Sequence, residues 1–186
     1  MTLFNNLKSR LRRAMLPSLK VARRLAKDKR GSAVEFAMVS VPFFPLLLSV
    51  FEIGMIFFKS EYLQSAVTEA SRQIYTGQAQ QANMSASQFK TRLCDAANVM
   101  FSCADLSVDV RTYSGFSGAD RFNPVSGGNF NDASLQYDPG VRSSIVVVTG
   151  YYQQQVFLAM LASGFDKLNN GKILLRASAA FRNEPF

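Results

Sequence analysis

The sequence predicts an α+β protein: a long N-terminal membrane-spanning helix that continues into a helix packed on a small, mostly antiparallel sheet. Three observations predict it. A run of 23 mainly apolar residues, Phe36 to Phe58, follows a strongly basic segment. Helical spacing of apolar residues carries on beyond that run as far as Gly77. After Gly77, Val- and Ile-rich or alternating stretches are separated by Gly, Ser, Asn and Asp. A chain of 186 residues suffices for one membrane segment and one domain of modest core.

Charge divides the chain. The net +8 is an average over two unlike parts: residues 1–30 hold ten Lys or Arg against Asp28 alone, and residues 31–186 hold eleven basic and twelve acidic side chains. A basic tail on a near-neutral body argues against nucleic acid as a partner and for a membrane topology signal. In the tail, Leu3, Phe4, Leu7, Leu11, Ala14 and Met15 recur at helical steps among Lys8, Arg12 and Arg13. Pro17 interrupts the pattern, which resumes at Leu19, Ala22, Leu25 and Ala26. This reads either as an amphipathic basic helix on an anionic membrane surface or as an unstructured retention tail.

As a helix, Phe36 to Phe58 is about 34 Å long, slightly more than a hydrocarbon core of about 30 Å. Fourteen of its residues are Leu, Ile, Val or Phe, and its only charge is Glu52. The fourteen contribute roughly −4 to −8 kcal/mol to insertion, against about 2.5 to 3.5 kcal/mol for a carboxylate at the bilayer centre. The run is longer than the apolar core of a secretory signal, and no small-residue cleavage site follows it. The expected organisation is a basic cytoplasmic leader over residues 1–31, a membrane helix over 32–59 and an outer α+β domain over 60–186. Because the basic residues precede the span, the N-terminus stays cytoplasmic and the rest crosses. Pro42 and Pro45 free backbone carbonyls and are expected to kink the span. Glu52 either faces another subunit's helix, with Gly54 allowing close approach, or snorkels to the outer headgroups.

Past the span, Leu63, Ala66, Val67, Ala70 and Ile74 form one apolar stripe, with Gly77 suited to cap the helix. Gln78 to Ala86 reads as a polar linker. A short helix follows, capped by Ser85 or Ser87, with Phe89, Leu93, Ala96 or Ala97, and Met100 on its inner face. "LSVDVRTY" alternates and reads as a strand. Residues 114–140 read as a long surface loop pinned by Phe116, Phe122 and Phe130. "SSIVVVTGYY" is apolar enough for a central strand. "VFLAMLASGFDKL" reads as helical and "GKILLRASAAF" as a last strand.

Cys94 and Cys103 are the only cysteines and lie on the predicted outer side. An even count in an exported domain reads as a disulfide, the alternative being two free buried thiols. The chain has no His and no CxxC. No metal site, cofactor motif or nucleophile–base set is apparent, so no enzyme activity is expected.

The succession of a basic segment, "GSAVEF", an apolar helix containing "FEIG" and then "LQSAVTEASRQIYTGQAQ" resembles the TadE family of pilin-like proteins of bacterial tight-adherence (Tad) pili. The resemblance is strongest over residues 29–80. It implies a minor pilin or pilin-like assembly component of a type IVc pilus, concerned with adhesion or pilus biogenesis. It would be anchored once in the inner membrane, with its outer domain periplasmic or carried into the extracellular pilus. The implied partners are the membrane, a prepilin peptidase, other pilin and pilin-like subunits and the pilus assembly platform. The peptidase would cut between Gly31 and Ser32, and Glu35, beside Phe36, would then neutralise the new amine of a neighbouring subunit. The family's familiar spacing puts that glutamate fifth after the cut, and Glu35 is fourth. One residue fewer turns the side chain by about 100° around a helix. The alternative is a permanently anchored, periplasm-facing assembly or adaptor protein that is neither processed nor polymerised.

Overall fold

The computed structural model describes residues 29–118, 122–157 and 167–186. The basic tail before residue 29 lies outside them, and so does most of the helix expected over 156–168. At the flanks of that stretch Val156 and Phe157 are not helical, and Lys167 makes a bridge to Ile173. The chain divides into two compact units, Met1–Leu48 and Ser49–Phe186.

Helix α1 runs from Lys29 to Tyr75. Pro42 and Pro45 lie inside it without ending it. Each lacks an N–H, so the carbonyls of Met38 and Val41 lose their intrahelical donors. In the first unit the helix is exposed on all sides. In the second unit one side is covered: Ile56, Leu63, Ala66, Val67, Ala70 and Ile74 are buried, while Glu61, Glu69 and Arg72 stay exposed. The predicted stripe is thus the buried one.

α1 ends as expected. The Gly77 N–H reaches the Ile74 carbonyl at 3.1 Å, and Gly77 has φ +80°. The ring of Phe186 fills the place where a side chain on residue 77 would go, so Gly is needed there for backbone and for space. The C-terminal segment ties down this end: Glu184 N–H donates to the Tyr75 carbonyl at 3.0 Å, and Phe181 meets the Tyr75 ring edge-on. The expected polar linker is in part a single helical turn, α2 (Gln78–Gln81), because Ala79 is buried among its glutamines.

Helix α3 (Ala86–Ala97) is capped by Ser85 rather than Ser87. Ser85 Oγ accepts from the Gln88 N–H at 3.3 Å, and Gln88 Oε1 accepts from the Ser85 N–H at 2.8 Å. This reciprocal box satisfies two N–H groups that the first turn leaves without partners. Phe89, Leu93 and Ala97 turn inward.

Three antiparallel strands follow in the order β1 (Leu106–Tyr113), β4 (Ile145–Gln155) and β5 (Lys172–Arg182), with β4 central as its composition predicted. Val108 pairs with Gly150 and Gly150 with Ala177, which sets the register. α1 and α3 cover one face of this sheet. They come close at Gly150, where an added Cβ would stand 2.6 Å from Val67 Cγ2 and 3.7 Å from Leu93.

The connection after β1 covers the other face. It holds a small hairpin, β2 (Val125–Ser126) with β3 (Asn129–Phe130), and then runs parallel to β1, taking the Val110 N–H on the Gln136 carbonyl at 2.9 Å. That pairing covers one edge of the sheet. At the other edge the Gln64 side-chain amide bonds the Ser178 N–H and C=O. Neither edge presents a long row of open backbone groups at these points. Of the three phenylalanines expected to pin the connection, Phe122 and Phe130 do so, but Phe116 is 59 % exposed. It sits in a short 3-10 turn, Phe116–Gly118, that projects past the end of β1.

Candidate functional site

Gly31, Ser32, Glu35 and Phe36 all occupy the exposed opening turns of α1. A side chain on residue 31 would meet nothing within 4 Å. Onward from there, Val34, Phe36, Met38, Val39, Val41, Phe43, Phe44 and Leu48 are each more than half exposed. They point in every direction around the helix. Water would penalise such a surface heavily, so this length of helix calls for lipid or other apolar helices around it. α1 is long and apolar enough to cross a membrane. Ser40 turns its hydroxyl back to the Phe36 carbonyl at 2.7 Å, which hides its polarity within the helix.

In the second unit, Glu52 and Lys59, the first charged side chains of α1 there, meet the end of β4 and the residues just past it. Glu52 Oε1 accepts a hydrogen bond from the Phe157 N–H at 2.5 Å. One and two turns on, Ile56 is buried and Lys59 donates from Nζ to Gln154 Oε1 at 2.6 Å, with its ammonium 5.9 Å from the Tyr152 ring centre. Between them is a cavity of about 290 Å³ whose lining is mainly apolar, from Phe51, Met55, Ile56 and Phe157. Glu52 was expected to face another subunit or the headgroups. Its bond to Phe157 is a partner 105 residues away in its own chain, which helical spacing could not reveal.

Cys94 and Cys103 are joined in a disulfide, with Cα atoms 5.6 Å apart. That separation is ordinary for such a bridge. It fastens the last turn of α3 to the turn before β1, and so fixes the angle at which the polypeptide enters the sheet.

Sequence reasoning missed a polar cluster on the face opposite the helices. Asp109 is only 2 % exposed. Its Oδ2 accepts from Arg111 Nε at 2.8 Å and its Oδ1 from the Gln136 N–H at 2.8 Å. Arg111 also donates to the Ser134 carbonyl at 2.9 Å, and its guanidinium carbon lies over the Phe122 ring, 3.7 Å from the ring centre. The Tyr151 hydroxyl donates to the Phe122 carbonyl at 2.8 Å. Burial, and then the Asp109 charge, push the Tyr151 phenol up to about 12. These groups lock the long connection onto the sheet. The alternation of "LSVDVRTY" could have flagged them, since Asp109 and Arg111 share the face opposite Val108 and Val110.

Residues 31–72 match the family model described as TadE-like protein. No curated protein and no solved structure matches the chain. The matched segment lies wholly within α1. It takes in the exposed apolar stretch and most of the buried stripe, and it ends before the sheet begins.

Proposed function

From the TadE-like helix at residues 31–72 we propose that this chain is a minor pilin or pilin-like assembly component of a Tad-type pilus. Its role is structural rather than catalytic. Residues 1–31 form the cytoplasmic leader, 32–59 the single span of the bacterial inner membrane, and 60–186 the periplasmic domain that enters the extracellular pilus on polymerisation. One observation carries the reading: the family match coincides with a helix whose apolar surface is exposed all round. Such a surface suits both a bilayer and a bundle of like helices, and a subunit that passes from one to the other needs both.

In this reading the prepilin peptidase cuts between Gly31 and Ser32, where a side chain on residue 31 would meet nothing within 4 Å among the described residues. Glu35 then pairs with the Ser32 amine of an adjacent subunit, and the Phe36 ring packs against that subunit's helix. A carboxylate in an apolar bundle is costly alone, and a facing ammonium removes most of that cost.

The test is the N-terminal mass of the protein from membranes with and without the peptidase. Cleavage leaves a 155-residue product without the basic leader. Gly31→Val should block it, while Glu35→Ala should leave cleavage intact and impair assembly. A chain that keeps its leader in both backgrounds would overturn processing. It would favour the second reading, a permanently anchored periplasm-facing assembly or adaptor protein. Two observations lean that way: the helix already includes Gly31, which a protease must unwind, and Glu35 is one residue nearer the cut than the familiar spacing.

A further inference from the structure

We propose that the chain touches the bilayer twice: besides the α1 span, the end of β4 at Phe157 dips into the same leaflet, latched to the span by Glu52. The inference rests on the membrane span, and depth along α1 decides it. Along α1, the last exposed large apolar side chains before Lys59 are Phe51, Met55, Phe57 and Phe58, each more than half exposed, while Ile56 between them is buried against the domain. The bilayer surface can be drawn at either end of this group. If it lay at Glu52, Met55, Phe57 and Phe58 would all face water within one turn of helix, a concentration of apolar surface that soluble surfaces avoid. If it lies at Phe58, all four are in lipid.

Two hydrogen bonds then fix where the end of β4 sits. Gln154 is level with Lys59, and Phe157 is level with Glu52. From Lys59 back to Glu52 is seven helical residues, about 10 Å. From Gln154 on to Phe157 is three residues, of which only Gln155 is still in β4, a reach of at most about 10 Å that matches the separation along the helix. The two segments run side by side, so Phe157 reaches the depth of Glu52, about 9 Å below Phe58. Its ring is 87 % exposed, the most exposed large apolar side chain among the described residues. A ring so placed would be unfavourable in water and is well placed in hydrocarbon.

The latch fits this setting. A backbone N–H at membrane depth needs a partner inside the protein. The Phe157 N–H has one in Glu52, and the carboxylate in turn gains a donor that lipid could not supply. The polar residues Gln153 to Gln155 stand above this point, at the level of Lys59, where headgroups and water are available.

The chain contains no Trp, so a single substitution makes a clean depth probe. The full chain, carrying Phe157→Trp, Phe58→Trp, Phe44→Trp or Phe116→Trp, would be reconstituted in phosphatidylcholine and phosphatidylglycerol vesicles with and without brominated acyl chains. F44W reports the span, and F116W, at the far end of the sheet, reports water. The expected result is a blue-shifted F157W emission, quenched by bromolipid at least as strongly as F58W, with F116W unquenched. Quenching of F44W and F58W without F157W would overturn the second contact and leave the span standing, with Phe157 in water or against another protein. An unquenched F44W would overturn the span and the inference together.

Discussion

The two halves of α1 share one secondary structure and live by opposite rules. Up to Leu48, Phe, Val and Leu side chains are exposed on every side. Past Phe58, the last of the exposed apolar side chains, a single stripe from Leu63 to Ile74 is buried, and the other faces carry Glu61, Glu69 and Arg72. Backbone hydrogen bonds hold the helix in both. What differs is what keeps water away: the chain's own sheet covers the second half, whereas the exposed apolar surface of the first half calls for an apolar environment from outside the domain. A helix of the first kind needs only apolar residues, in any order. A helix of the second kind needs them at positions three and four apart, and needs small ones where the partner comes close. Val67 over Gly150 is such a place.

The most direct way to break this comparison is to make the same change in both halves. Leu63 is fully buried and Leu48 more than half exposed. Leu63→Ala should destabilise the sheet-bearing domain by about 2 to 5 kcal/mol, through lost transfer energy and the cavity left behind. Leu48→Ala should change the same unfolding transition by less than about 0.5 kcal/mol. Urea titration of the full chain in detergent, read by the tyrosine signal of the domain, measures both. Equal effects would mean that the two halves do not differ in the way described.

The disulfide comes next in size. It closes a short loop between α3 and β1, and its loss should cost about 2 to 3 kcal/mol on a chain-entropy estimate. Cys94→Ser with Cys103→Ser should lower the urea midpoint accordingly and leave membrane association unchanged. Thiol labelling of the unreduced, denatured wild type should find neither cysteine free. Stoichiometric labelling of both would contradict the bridge and remove this source of stability.

Much of this second half was legible because its signals are local. The stripe from Leu63 to Ile74, the Gly77 cap, the Ser85 cap and the strands at 106–113, 145–155 and 172–182 each follow from residues close in sequence. The single turn Gln78–Gln81 escaped because its glutamines look like linker, and only the burial of Ala79 explains it. Two further features were not legible because their causes lie far along the chain. Asp109 reads as a solvent-facing residue of an alternating strand, yet the connection that folds back over it supplies Gln136 and buries it. Glu52 reads as a lone carboxylate in a span, and its acceptor role towards Phe157 depends on where β4 ends. For Gly31, Ser32, Glu35 and Phe36 the structure gives only an exposed helical turn, and the processing and assembly roles proposed for them rest on the sequence.

The smallest effect extends the comparison to the sheet's far face, where protein rather than lipid excludes water from polar groups. Tyr151 holds its proton up to about pH 12, chiefly because it is buried and secondarily because Asp109 is near. An unfolded tyrosine ionises near pH 10. Below pH 10 both states keep the proton, and stability is unaffected by this group. Between pH 10 and 12 the unfolded chain loses the proton while the native state keeps it, so the unfolded state binds fewer protons and stability falls as pH rises. Above pH 12 the loss is complete, and it amounts to about 1 to 2 kcal/mol, somewhat less than the full two-unit shift would give. Tyr151→Phe separates the two contributions of the hydroxyl. At pH 8 it should cost about 1 kcal/mol, because the Phe122 carbonyl loses its donor. Between pH 10 and 12 its urea midpoint should fall less steeply than that of the wild type, since the ionising group is gone. Equal slopes in the two proteins would assign the alkaline loss to other tyrosines and leave Tyr151 as a packing residue only.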